Sequence, residues 1–168
     1  MIHIKVPAER VGVIIGNKGV TKKTIEERSG TTIRIDSESG SIEIESLDPI
    51  GEMNAGEVIK AIGRGFSEEN AFRLLDDETL VSDIIDLSKI FTTQKDIMRI
   101  KGRIIGKDGR AREVIENLSD VKISVYGKTI GIIGAIERVE IARRAIGMLI
   151  DGAPHGAVYS YLEKQRRE

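Results

Sequence analysis

The residues of this chain with the means to do chemistry gather in one stretch, Met98–Arg112 (MRIKGRIIGKDGRAR), where an apolar helical pattern runs into Gly106-Lys107-Asp108-Gly109 and then into a second helix. Glycines at both ends of a four-residue turn allow a tight bend and a close approach by a phosphodiester, because no Cβ stands in the way. The helix beginning after Gly109 offers unpaired amides and the positive end of its dipole to an anion. Arg99, Lys101, Arg103, Lys107, Arg110 and Arg112 surround the turn, and Asp108 is the one acid among them. The chemistry these residues support is the cradling of a polyanion.

The device is made twice. Gly12–Gly19 (GVIIGNKG) aligns without a gap on Gly102–Gly109 (GRIIGKDG), and the match continues with Ile25-Glu26 on Ile115-Glu116, Ser29 on Ser119 and Ile33 on Ile123. Helix, turn, helix and following strand are therefore repeated, which implies two similar domains. Lys18, Lys22 and Lys23 stand at the first turn. Cations at a helix start are unfavourable by a few tenths of a kcal/mol up to about one, a cost that a bound phosphate would offset.

Composition sets the outer limits. A chain of 168 residues with 40% hydrophobic content accommodates two small cores, and it has no run long enough for a membrane span. Ile2-His3-Ile4-Lys5-Val6 alternates as a strand from the first residues, unlike a signal peptide, so a cytoplasmic protein is expected. Zero cysteines and two histidines leave no thiolate or histidine-rich metal site, and no cofactor or metal is expected. The net charge of −1 argues by itself against nucleic acid, but the charge is unevenly placed. Acids dominate Asp36 to Asp86, and Lys89 to Arg112 is strongly basic.

The elements that must position the turns follow from periodicity. In residues 1–66, a strand ends at Pro7 and Val11, Ile14 and Ile15 form a helical face that stops on Gly16. A second helix reaches Ser29 with Gly30 as its cap, a hairpin pairs 31–36 with 41–45, and a third helix follows Pro49. The order is β-α-turn-α-β-β-α. Residues 67–82 predict a connecting helix with Ser67 as N-cap, apolar enough to dock the two units together. Residues 83–153 repeat the order, starting with a strand over Asp83–Ile90, and Pro154 opens a C-terminal helix over 154–168. The fold class is α+β, with three helices on one face of each three-stranded sheet.

Helix, Ile-Ile-Gly-x-x-Gly, helix and strand, present twice, resemble the KH domain in its eukaryotic (type I) form, whose GxxG loop clamps the nucleic-acid backbone while bases are read in the adjacent groove. The stretches IENLSDVKISVYGKTIGIIG, ERVEIARRAIGMLIDG and PHGAVYSYLE, and the connector from Gly63-Arg64-Gly65-Phe66 through Leu74-Leu75-Asp76-Asp77, are similar to archaeal members of the Partner-of-Nob-One family of small-subunit rRNA assembly factors. Eukaryotic members tend to lack the first glycine turn, which is kept here as Gly16-Asn17-Lys18-Gly19. The resemblance implies binding to the 3′ region of small-subunit rRNA beside the endonuclease that matures that end, and an association with the α subunit of initiation factor two.

Candidate RNA-binding residues follow. Gly16, Asn17, Lys18, Gly19 and Gly106, Lys107, Asp108, Gly109 form the turns; Lys22, Lys23, Arg103, Arg110 and Arg112 are candidate phosphate contacts, against the alternative of solvated helix faces. Ile14, Ile15, Ile104 and Ile105 divide between core and groove floor. Thr32, Arg34, Lys122 and Ser124 alternate away from the core isoleucines, at an edge where bases could be read. Aromatic residues are only 4% of the chain, so apolar packing and hydrogen bonds are expected to do the reading in place of stacking. No nucleophile and base form a pair, His155 reads as a helix-entry or packing residue, and Asp76-Asp77-Glu78 reads as a solvated acidic face. These features favour a non-catalytic single-stranded RNA binder, with about −0.7 in log–log salt slope per phosphate neutralised. The alternative is a protein-interaction scaffold of the same fold that docks a nuclease or initiation factor.

Overall fold

The computed structural model describes residues 1–167. The chain divides into two units between Glu78 and Thr79. In the first, β1 (Ile2–Lys5) leads through a 3-10 turn into α1 (Val11–Ile15), then α2 (Val20–Ser29), β2 (Thr32–Asp36), β3 (Ser41–Glu45), α3 (Pro49–Gly63) and α4 (Glu68–Asp76). The sheet order is β1-β3-β2, antiparallel throughout. Period-2 alternation puts Ile33, Ile42 and Ile44 on the helix-covered face, almost fully buried. His3, Glu43 and Arg34 form a row on the opposite face, with Glu43 paired to both neighbours in register.

Local chemistry sets the ends of these elements. Gly30 takes the left-handed conformation that closes α2. Asp48 caps α3 by accepting from Ile50 N at 3.0 Å, just before Pro49 at the first helical position. In the hairpin, the Asp36 carboxylate accepts from the amides of Ser39 and Glu38, which hold its pKa below the ordinary carboxylate range.

The second unit contains β4 (Leu80–Asp86), α5 (Gln94–Ile105), α6 (Arg110–Ser119), β5 (Lys122–Tyr126), β6 (Thr129–Ala135), α7 (Ile136–Ile150) and α8 (His155–Arg167). Its sheet order, β4-β6-β5, repeats that of the first. The strand expected over Asp83–Ile90 starts earlier and stops earlier, because β4 pairs with β6 from Leu80↔Ala135 to Asp86↔Thr129. The Asp86 side chain then accepts from Ser88 N at 2.9 Å and turns the chain into a 3-10 turn, with Leu87 fully buried.

Residues 67–82 do not form a free-standing connector. Ser67 caps α4 as its sequence predicts, accepting from Asn70 N at 3.2 Å. The helix packs on α3 and α2 of its own unit, where Asp76 pairs with Arg28 at 2.5 Å, while Leu80–Ser82 already belong to β4. In the second unit α8 takes the matching place, packed on α6 and α7 with Val158 and Leu162 fully buried. Each unit is thus a βααββα core with one further helix.

Candidate nucleic-acid interface

The two glycine turns have one backbone. Gly16 and Gly106 have φ of +77° and +73°, Lys18 and Asp108 both +56°, and Gly19 and Gly109 both +75°. Three of the four residues in each turn therefore lie at positive φ, a conformation that costs an L-residue roughly 1–2 kcal/mol. The preceding helices end where Gly16 N donates to Gly12 O and Gly106 N donates to Gly102 O. The two glycines of a turn do different work. A Cβ on Gly106 would lie 2.5 Å from Ala111 Cβ, and one on Gly16 would collide with Thr21, so the first glycine lets the turn press against the following helix. A Cβ on Gly19 or Gly109 meets nothing closer than 4.0 Å, so the second glycine serves the backbone angle and keeps an open approach.

The isoleucine pairs before the turns separate cleanly. Ile14 and Ile104 are fully buried in the core, and Ile15 and Ile105 are half-buried beside the turn. Asn17, Lys18, Lys107, Asp108, Lys23 and Arg110 are exposed at the turns and the first residues of α2 and α6.

Lys22 and Arg112 have a further duty, since they stand 3.6 Å and 4.0 Å from Glu26 and Glu116 one helical turn on. Those glutamates accept from the strand amides Ile33 N at 2.9 Å and Ile123 N at 2.8 Å. The repeated Ile-Glu dipeptide is thereby explained. It ties α2 to the outer edge of β2, and α6 to that of β5. Both are edge strands, and N–H and C=O groups alternate in direction along a strand, so Ile35 and Val125 present theirs on the same outer edges.

Four sequence candidates stand elsewhere. Arg103 is turned inward, with its guanidinium donating to Leu149 O at 3.1 Å and Ala153 O at 2.6 Å. Arg10 does the same in the first unit, donating to Ile62 O and Phe66 O, both at 2.9 Å. In each case the acceptors are the next-to-last residue of the third core helix and the third residue beyond it, so these arginines staple the chain reversal before α4 and α8. Arg34 and Lys122 point from the face opposite the helices, away from the turns, because they alternate with the buried Ile33 and Ile123. Ser124 is buried at 9% exposure.

Sequence reasoning missed two groups. A pocket of about 180 Å³ opens beside the second turn, lined by Gly106, Lys107, Arg110, Ala111, His155 and Tyr159. Its far wall is the start of α8, where His155 Nε2 lies 2.8 Å from Arg103 O and the imidazole and Tyr159 ring centroids are 6.1 Å apart. The only sequence signal was their spacing, one helical turn apart after Pro154. At the first turn the corresponding first residue of the extra helix is Glu68, whose carboxylate accepts from the Thr21 hydroxyl. Among the described residues no three of His, Asp or Glu converge to hold a metal ion, and no helix is long and apolar enough to cross a membrane.

Known proteins share this architecture. A family model described as eukaryotic type KH-domain (KH-domain type I) matches residues 81–167, and a KH domain model matches residues 1–62. A KH domain-containing protein of Methanocaldococcus jannaschii is 42% identical over 98% of this chain and 74% of its own length. The pre-rRNA-processing protein pno1 of Emericella nidulans is 32% identical over 96% of this chain, which spans 65% of that longer protein. A crystal structure of a complex of a/eIF2α, aDim2p and rRNA from Pyrococcus horikoshii OT3 matches with 46% identity and a TM-score of 0.91, over 99% of this chain and 93% of that one. With two glycine turns on two type I KH cores, and relatives of this identity along almost its whole length, the chain belongs to the KH-domain pre-rRNA-processing family of pno1 and Dim2p.

Proposed function

We propose that this protein is a non-catalytic, cytoplasmic assembly factor that holds single-stranded RNA of the small-subunit rRNA 3′ region through its two glycine turns. The observation that carries this reading is the pair of superimposable turns, each with a cation-bearing helix start and an open strand edge beside it. Gly16, Asn17, Lys18 and Gly19, and Gly106, Lys107, Asp108 and Gly109, take the sugar-phosphate backbone. Lys22, Lys23, Arg110 and Arg112 add phosphate contacts, and Ile15 and Ile105 floor the grooves. The composition of the related complex, which contains a/eIF2α and rRNA, supports the α subunit of initiation factor two as a protein partner. The endonuclease that matures the rRNA 3′ end is the second proposed partner, from the family's pre-rRNA-processing role.

The test is affinity for a short single-stranded RNA matching the small-subunit rRNA 3′ end, compared with a scrambled RNA, for native protein, Lys107→Asp and Lys18→Asp. Lys107→Asp is expected to weaken binding about tenfold and to flatten the salt dependence by about 0.7 in log–log slope for each phosphate left unneutralised. Unchanged affinity in both variants would transfer the family role to protein docking alone.

A further inference from the structure

The pocket beside the second turn has no counterpart in a plain glycine-turn cradle, because its far wall is built by a helix outside the KH core. We propose that it is a nucleobase subsite, in which one base of the bound RNA stacks on Tyr159 while the adjoining phosphate is held by Lys107 and Arg110. This rests on the reading that the second turn holds the RNA backbone.

The size and the lining agree with that occupant. About 180 Å³ corresponds to roughly six waters at about 30 Å³ each, room enough for a single planar ring system. Gly106 and Ala111 leave one side low, the His155 and Tyr159 rings supply flat apolar surface, and the only charges in the lining are cationic. Every base has a π-face, so a stacking platform binds without demanding one sequence.

The wall is also fixed in place before any ligand arrives. A carbonyl can only accept, so His155 must donate from Nε2 to Arg103 O, which settles its tautomer when neutral. Arg103 in turn pins Leu149 O and Ala153 O on either side of the reversal that leads into α8. The end of α5, the reversal and the start of α8, which forms the far wall, are thus held by one chain of hydrogen bonds. A ring pair that is ordered beforehand loses little freedom on binding. The first unit lacks this arrangement. Its extra helix begins with Glu68, which would repel a phosphate at the matching place.

The experiment uses the full chain and a single-stranded RNA of the rRNA 3′ end, together with a series in which one base at a time is replaced by an abasic ribose. The proteins are native, Tyr159→Phe, Tyr159→Leu and Lys107→Asp; leucine keeps the helix and apolar bulk while removing the ring. One abasic position is expected to cost native protein and Tyr159→Phe roughly tenfold in affinity. In Tyr159→Leu the intact RNA should bind roughly tenfold more weakly, and that same abasic position should cost nothing further. An abasic profile identical in native protein and Tyr159→Leu overturns the subsite. If Lys107→Asp still weakens intact RNA in that case, the backbone-holding role of the turn survives; if it does not, that reading falls as well.

Discussion

The first and second glycine turns share their dihedral angles to within a few degrees and their strand-tying glutamates, yet different chemistry lies beside them. At Gly16 the neighbour is Thr21, hydrogen-bonded to the Glu68 carboxylate; at Gly106 it is Ala111, with His155 and Tyr159 beyond. The sheets differ too. The first exposes a polar row, His3, Glu43 and Arg34, on its helix-free face, whereas β6 of the second is buried from Thr129 to Gly134. Duplication conserves the backbone device because its angles are set locally by glycine. The surroundings, supplied by helices appended to each core, are free to diverge into an acidic support in one unit and an aromatic pocket in the other.

The largest effect that would sharpen this comparison is expected from the turn glycines themselves. Gly106→Ala adds a clash with Ala111 to an unfavourable φ, and should lower the stability of the second unit by about 3 kcal/mol. Gly109→Ala adds the φ cost alone, about 1 kcal/mol. Urea unfolding of both variants measures the gap, and equal losses would show that packing against α6 does not constrain the turn.

The staples come next. Arg103→Ala and Arg10→Ala each remove charge-assisted bonds to two carbonyls and should each cost about 2 kcal/mol. Only Arg103→Ala should also disturb RNA binding, because the reversal its guanidinium pins leads into the helix that carries His155 and Tyr159. Equal effects on RNA affinity would erase the distinction between the two extra helices. A smaller change is expected at the acidic support. Glu68→Gln keeps an acceptor for Thr21 while removing the charge, and should raise RNA affinity about two- to fivefold, more at low salt. A fall in affinity would mean that the carboxylate helps shape the first turn.

Much of the molecule was legible in the one-dimensional pattern. The repeat GVIIGNKG/GRIIGKDG determined the turns, because glycine at positive φ, helix-stopping and helix-starting positions are local properties that no distant residue has to supply. The same locality made Gly30, Pro49 and Ser67 readable as helix ends. Strand alternation found both hairpins, but β4 was misplaced by three residues at its start. Its bounds are decided by which β6 residues it pairs with.

What tertiary structure alone decided is the fate of individual side chains near the turns. Sequence put Arg103 beside Lys107 and Arg110 as an equal, and the fold spends it on two carbonyls nearly fifty residues away, since a guanidinium at half-burial must satisfy its donors. Sequence likewise could not choose between Ile104 and Ile105, because both lie within one helical turn of the same stripe and only packing against the sheet separates the buried one from the half-buried one. His155 and Tyr159 lie more than forty residues from Gly109 along the chain. The path of α7 and the reversal after it bring them to the turn, and that path follows from burying Val139, Ala142, Ile146 and Leu149 together, a collective condition that no single stretch encodes.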